Sequence, residues 1–333
     1  MMLLNKLFRI AAVGLLMANL SAQSAQAVDC RVFVVMSYEE QLGWVKDQQE
    51  GIDAVLAKTC QVEYFYLNAR SNPDGLEQKA KEAFARYQEW QPTGVIAADD
   101  DAQKVFVVPY LKDKVATPVM FCAVNREPQQ YGYPSSNVSG ILEVTHLAES
   151  LAFVQQLLPS VNTFSAMQKD GAAAQLNLKT FQEQSATFSA QFVEMKMPKT
   201  LDDAIAMSKE LQAASDALII FTFGFINADG APISEKEAVA AISAAFGKPV
   251  LGMSEEYLRY QGVLCSVVKS AQEQGETAAK MLLQAMRGTP VSELPITQNH
   301  HGKRIINVTT MKAFGITPPP SALRGAQLVT TAP

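Results

Sequence analysis

The sequence predicts an α/β protein made of two doubly wound parallel-sheet units. Three observations carry this. Short β-rich runs alternate with helix-spaced segments along most of the chain, the pattern of a parallel sheet covered by helices on both faces. The alternation breaks once, after Asn125, and then resumes over a stretch of similar length. The last third adds one more strand and helix and then short extended pieces marked by Gly288, Pro290 and Pro295, as expected of a chain returning to an earlier unit.

The elements follow in order. RVFVVM (31–36) is the first strand. Over 41–58, Leu42, Val45, Ile52, Val55 and Leu56 recur on one helical side. QVEYFYL (61–67) is a strand, and Asn72-Pro73 starts a helix, a cap followed by proline, that runs to about Trp90. GVIAA (94–98) is the third strand, Asp99, Asp100 and Asp101 open a helix, and TPVMFCAV (117–124) is the fourth strand. Residues 125–140 read as loop because they hold Arg126, Pro128, Gly132, Pro134, Ser135, Ser136 and Gly140. The second unit reads as helix 145–158, strand 161–167, helix 172–186, strand 190–197 and a helix opened by a Thr200/Asp203 capping box. Strand 217–223, helix 234–246 and strand 248–253 complete it. GVLCSVV (262–268) is a further strand, followed by a helix capped by Ser270 and Glu273 that reaches about Arg287.

The first residues stand apart. Lys6 and Arg9 precede an apolar stretch from Ile10 to Leu20, too short to span a bilayer, and Ala25-Gln26-Ala27 is a small-x-small cleavage site. Residues 1–27 therefore read as a signal peptide, and the mature chain starts at Val28. That leaves 333 − 27 = 306 residues, a length suited to two domains. Removing two cations and no acid moves the formal net charge from −5 to −7. A mildly acidic chain with no basic tract argues against nucleic acid, and no later stretch is apolar enough for stable membrane insertion. Export permits disulfides. Cys30 and Cys60 open the first two strands, so parallel neighbours there would allow a bridge. Cys122 and Cys265 lie inside apolar runs and read equally as buried thiols.

Ligands of open parallel sheets bind beyond the carboxyl ends of the strands. In the first unit those ends supply Ser37, Tyr38, Trp44, Asp99, Asp100 and Asn125. In the second they supply Gln168, Phe223, Gly224, Ser254 and Glu255. The mixture of rings, amides, hydroxyls and carboxylates suits a small polar molecule. Each has a structural alternative: Ser37 can cap a helix, Asn125 can form a hinge turn, and Glu255 can serve a helix N-terminus. Of the aspartates, Asp99 follows the strand and is the expected N-cap, while Asp100 is the one expected to face the cleft.

Catalytic patterns are missing. The three histidines, His146, His300 and His301, lack metal-pair spacing, and no CxxC pair, GxSxG elbow, GxGxxG turn or P-loop is present. No catalytic residue, metal or cofactor is expected; the minor alternative is a hydrolase using paired carboxylates.

Several stretches carry a resemblance over the whole mature chain. SYEEQLGW (37–44), VIAADDDAQKVF (95–106), TPVMFCAVN (117–125) and SSNVSGI (135–141) occur in the order and spacing of one family. So do SAQEQGETAAKMLLQAMRGTPVSELPI (270–296) and IINVTTMKAFGITPPPSAL (305–323). The chain resembles the type I periplasmic substrate-binding proteins of the ABC transporter branch, near the tryptophan/tyrosine-type binding components. The resemblance implies two lobes on a multi-strand hinge, at 28–124 plus 254–287 and at 125–253 plus 288–325, with a tail at 326–333. It implies a monomeric periplasmic protein that traps a small molecule, an amino acid or related organic molecule, and delivers it to an ABC permease. The FCAVN form leans toward relatives that present their closed state to a sensor kinase instead, and that is the alternative.

Overall fold

The computed structural model describes residues 30–221, 224–227 and 230–332. The expected signal peptide and its cleavage site lie outside the described residues, as does Phe223.

The first sheet begins with β1 (Arg31–Met36), β2 (Gln61–Tyr66), β3 (Gly94–Ala98) and β4 (Val119–Val124). Two strands not foreseen as such complete it, β5 (Val138–Leu142) and β11 (Thr297–Gln298), in the order β11-β5-β4-β3-β1-β2. All its pairings are parallel. The strands are apolar on both sides, so each side needs a helical cover. Val32, Val34, Met36, Ile96 and Ala98 pack under α1 (Gly43–Leu56) and α8 (Ala271–Met286). Phe33, Val35, Val95 and Ala97 pack under α2 (Leu76–Trp90) and the segment after β3. That segment is one α-turn, α3 (Asp99–Ala102), continued as π-helix over Gln103–Leu111 with Pro109 inside it. Proline removes a backbone donor, which fits the departure from regular i to i−4 pairing there.

The second sheet holds β6 (Thr163–Met167), β7 (Gln191–Lys196), β8 (Ala217–Ile220), β9 (Val250–Gly252), β10 (Val263–Lys269), β12 (Gly302–Asn307) and β13 (Ala326–Val329). Their order is β13-β12-β10-β9-β8-β6-β7, parallel except where β12 meets β10. One face packs on α4 (Leu147–Leu157) and α5 (Ala172–Gln184), the other on α6 (Leu201–Ala214) and α7 (Glu235–Phe246). α9 (Val308–Ala313) and α10 (Pro320–Leu323) close the chain beside β12 and β13.

The sheets divide the chain differently from the expected lobes in four places. β5 belongs to the first sheet although it follows residue 124, β10 belongs to the second although it lies within 254–287, β11 belongs to the first although it lies within 288–325, and β13 adds a strand to the second sheet where a tail was expected. The crossings therefore fall at 143–146, at Lys269-Ser270 and at 299–301. The first unit is about 30–143 plus 270–298, and the second is about 144–269 plus 299–330.

Cys30 and Cys60 are joined in a disulfide at the starts of β1 and β2. β1 and β2 pair in parallel register from Arg31 opposite Gln61, which sets the two cysteines side by side. Cys122 and Cys265 are buried free thiols. No helix among the described residues is long and apolar enough to cross a membrane.

Candidate functional site

The carboxyl ends of β1 and β3 build the centre of the site. Ser37 is fully buried. Its Oγ donates to the Ala98 carbonyl at 2.6 Å and accepts from the Ala102 amide at 2.8 Å. Ser37 is thus committed to holding the β3–α3 turn, and its hydroxyl serves the alternative role of a cap.

The turn it holds gives the aspartates roles opposite to those expected. Asp99 makes no side-chain cap; the N-cap position of α3 is Ala98. Asp99 is instead 4% exposed, with φ at +65°, a left-handed backbone that few non-glycine residues adopt. Its Oδ1 accepts from Trp44 Nε1 at 3.1 Å, and its Oδ2 is buried without a hydrogen-bond partner. Burial pushes its carboxyl up to about 7, opposed by Trp44 and the Gln48 amide and reinforced by Asp100. Gln48 is itself fully buried, and neither amide atom reaches hydrogen-bond geometry.

Asp100, expected to face a ligand, is instead tied to the fold. Its Oδ1 accepts from Tyr131 Oη at 2.7 Å and the Arg126 amide at 3.3 Å, and its Oδ2 accepts from the Asn125 amide at 3.2 Å. Asn125 in turn donates from its side chain to the Ala123 carbonyl at 3.4 Å. These contacts secure the turn after β4.

Tyr38 is half-buried beside the triplet, with the Arg70 guanidinium 4.9 Å from its ring centroid. Burial, then the charge of Asp99, raises its hydroxyl far above the ordinary range. Trp44 carries a second cation: Lys269 Nζ lies 5.6 Å from its ring centroid. Lys269 ends β10, at a crossing between the units, and pairs with the buried carboxylate of Glu143 at another crossing. Burial pushes the Lys269 ammonium down to about 8, and the charge of Asp99 opposes that shift.

The second unit's expected residues are more dispersed. Gln168 is buried and accepts from Asn177 Nδ2 at 2.7 Å. The Gly224 carbonyl accepts from Lys169 Nζ. Ser254 Oγ accepts from the Tyr257 amide at 3.4 Å. Glu255 pairs with Lys303 at 3.6 Å, and Lys303 reaches across to Asp47 of α1 at 3.0 Å. The described contacts bring Tyr38, Trp44 and Asp99 into one cluster and join Asp100 to Asn125, but they do not bring Gln168, Gly224 or Ser254 against that cluster.

Sequence reasoning missed Lys269, Glu143 and Gln48. The strand-end rule does reach Lys269, the residue directly after GVLCSVV. Glu143 follows the unrecognised β5. Gln48 gives no signal beyond a helix position facing inward.

Chemically, the cluster is a buried carboxylate oxygen lacking a donor, beside an indole ring, at a junction where the two units meet. Among the described residues no group of three or more His, Cys, Asp or Glu side chains could hold a metal ion.

The model of the family described as ABC transporter substrate binding protein matches residues 31–330. No curated protein matches the chain by sequence. Among solved structures, it is similar to an ABC domain in complex with L-Trp from Streptococcus pneumonia, at 17% identity and TM-score 0.62, covering 90% of this chain and 99% of that one. It is similar to a ligand-free, open substrate binding protein with adhesive properties from Clostridium difficile, at 15% identity and TM-score 0.74, covering 91% and 100%. A conserved domain protein from Vibrio cholerae aligns at 19% identity and TM-score 0.61, covering 90% and 99%. At these identities the likenesses speak to the fold alone, two parallel-dominated sheets of the type I periplasmic-binding-protein kind.

Proposed function

The chain belongs to the ABC transporter substrate-binding protein family, and from that premise we propose that it is a periplasmic solute-binding protein that traps a small polar organic molecule between its two units and delivers it to an ABC permease. The observation that carries the reading is Asp99: a buried carboxylate with one oxygen unsatisfied, held in a left-handed backbone at a strand's carboxyl end. A buried acceptor without a donor costs free energy, and strain of this kind concentrates at functional sites. A ligand that brings a donor relieves that cost only where it reaches Asp99. If it also touches the second unit, it favours the closed arrangement over the open one, which is the differential contact that drives closure. The activity proposed is binding without turnover.

Trp44 reports on this site because its Nε1 donates to Asp99. Trp90 ends α2 and packs against Phe33, with ring centroids 6.3 Å apart, on the sheet face away from α1. The test is to release small molecules from purified protein, identify them by mass spectrometry, and add them back while following tryptophan fluorescence. The expected result is a saturable change that Trp44→Phe abolishes and Trp90→Phe preserves. A response carried by Trp90 alone would count against this site.

A further inference from the structure

The cluster specifies the charge of what it binds. Around Asp99 the unfilled hydrogen-bonding capacity is an acceptor, Oδ2, and the one side chain already on that carboxylate is the Trp44 indole N–H, a neutral donor. Asp100 adds a second negative charge one residue on, and the π faces of Trp44 and Tyr38 attract cations. Both rings already have one near: Lys269 at Trp44 and Arg70 at Tyr38. The nearby protein cation, Lys269, is not hydrogen-bonded to Asp99; Glu143, 7% exposed, holds its ammonium instead. Lys269 is a quarter exposed and lies at a crossing between the units, so it can yield.

Resting on the solute-binding reading above, the geometry points to a ligand with a protonated nitrogen, which takes Asp99 as its counter-charge in competition with the Lys269 ammonium. Glu143 is a positioning residue: by drawing Lys269 to itself it leaves Asp99 for the ligand. This assigns Lys269 the role of a competitor. A lysine that instead grips a ligand carboxylate would give the opposite response on removal.

Two variants separate these roles. Asp99→Asn retains a carbonyl acceptor for Trp44 and is among the substitutions best tolerated at a positive φ, so it removes charge with little strain. The pair Glu143→Gln with Lys269→Met removes the competitor without stranding a buried carboxylate. The probes are the common L-amino acids, their decarboxylated amines and their deaminated acids, read by Trp44 fluorescence and thermal shift on protein freed of small molecules. The expected result is that binders carry the amine and the deaminated acids do not bind. Asp99→Asn should weaken the binders by at least about thirtyfold, as when one partner of a buried charge pair is removed. The double variant should tighten them by about fivefold, the scale of a partly exposed pair.

Weaker binding by the double variant overturns the inference, because Lys269 would then be a ligand contact. A deaminated acid that binds as well as its amine-bearing counterpart overturns it, as does a panel in which no amine-bearing member binds. A released molecule that binds at Trp44 but has no protonated nitrogen would overturn this inference alone; if nothing is released and nothing binds, the solute-binding reading falls with it.

Discussion

Asp99 concentrates three costs in one residue: a positive φ, a buried carboxylate and an unsatisfied oxygen. The second has a definite sign with pH. Its carboxyl is raised from 3.8 to about 7 in the folded protein. Between those values the native state keeps a proton that the unfolded chain has lost, so stability is fully present below the unfolded value and is lost as pH rises through the folded one. The upper bound is about 4 kcal/mol, at about 1.4 kcal/mol per pH unit. Asp99→Asn should therefore melt close to the parent near pH 4 and above it near pH 8, a gap that thermal melts across that range would reveal. A gap that stays constant with pH would show that burial does not govern this group. Asp100 should behave differently. Asp100→Ala removes the acceptor of Tyr131 and of the Asn125 and Arg126 amides, so a loss of about 1–3 kcal/mol in urea unfolding is expected. Its effect on ligand affinity should be smaller than that of Asp99→Asn, because its carboxylate contributes charge near the site and no direct contact. The location of the triplet at the carboxyl end of β3 was legible in the sequence, because the β-rich run GVIAA stops where the acids begin. The division of labour within it was not, because it turns on the φ of one residue and on partners 25 to 31 residues away.

At the scale of elements, α1 and α8 approach so closely at Gly51 and Gly275 that neither position has room for a side chain. A Cβ on Gly51 would lie 2.1 Å from the Gln272 carbonyl oxygen, and one on Gly275 would lie 2.2 Å from that of Gln48. Both neighbours are backbone and cannot step aside. Gly275→Ala should cost about 1–3 kcal/mol or more through overpacking. Because it displaces the helix that carries Gln48 and Trp44, it should also blunt the Trp44 response to ligand. Chemical denaturation and the fluorescence titration check the two effects separately. The disulfide between the starts of β1 and β2 closes a separation of 30 residues. In the chain-entropy model its reduction should cost roughly 3 kcal/mol, measurable as a lower melting temperature in reductant. Both strands and the cysteine pairing could be read from periodicity and from where the cysteines fall. β5 could not: its VSGIL sits in a stretch dense in glycine and proline. Gly140 there is not a turn residue but a close approach, since a Cβ would fall 2.2 Å from the Phe121 carbonyl oxygen of β4. The same missed strand moved the first crossing, and with it Glu143.

Across the whole molecule, the three crossings are knitted to one another by polar contacts. Glu143 of the first pairs with Lys269 of the second. Glu273, just after the second, accepts from the amides of His300 and His301 in the third, both at 2.9 Å. Asn299 of the third returns to the first: its side chain accepts from the Val144 amide at 2.7 Å and from Gln274 Nε2 at 3.2 Å, donates to the Val144 carbonyl at 3.1 Å, and meets His146 Nε2 at 2.9 Å. These contacts tie the three crossings into one polar network. Asn299→Ala strands several buried groups and should cost about 2–4 kcal/mol, seen in thermal or urea unfolding. The two-unit plan was legible from the single break in the alternation, and so was the number of crossings; their positions were not, because β10 and the short β11 look the same in sequence whichever sheet receives them. The central claim is that a small molecule draws the two units together around Asp99. Small-angle X-ray scattering of the protein, with and without the molecule released from it, tests this most directly. A smaller radius of gyration on binding is expected, with Asp99→Asn unresponsive at the same concentration. Saturable binding with no change in the radius of gyration would contradict the account.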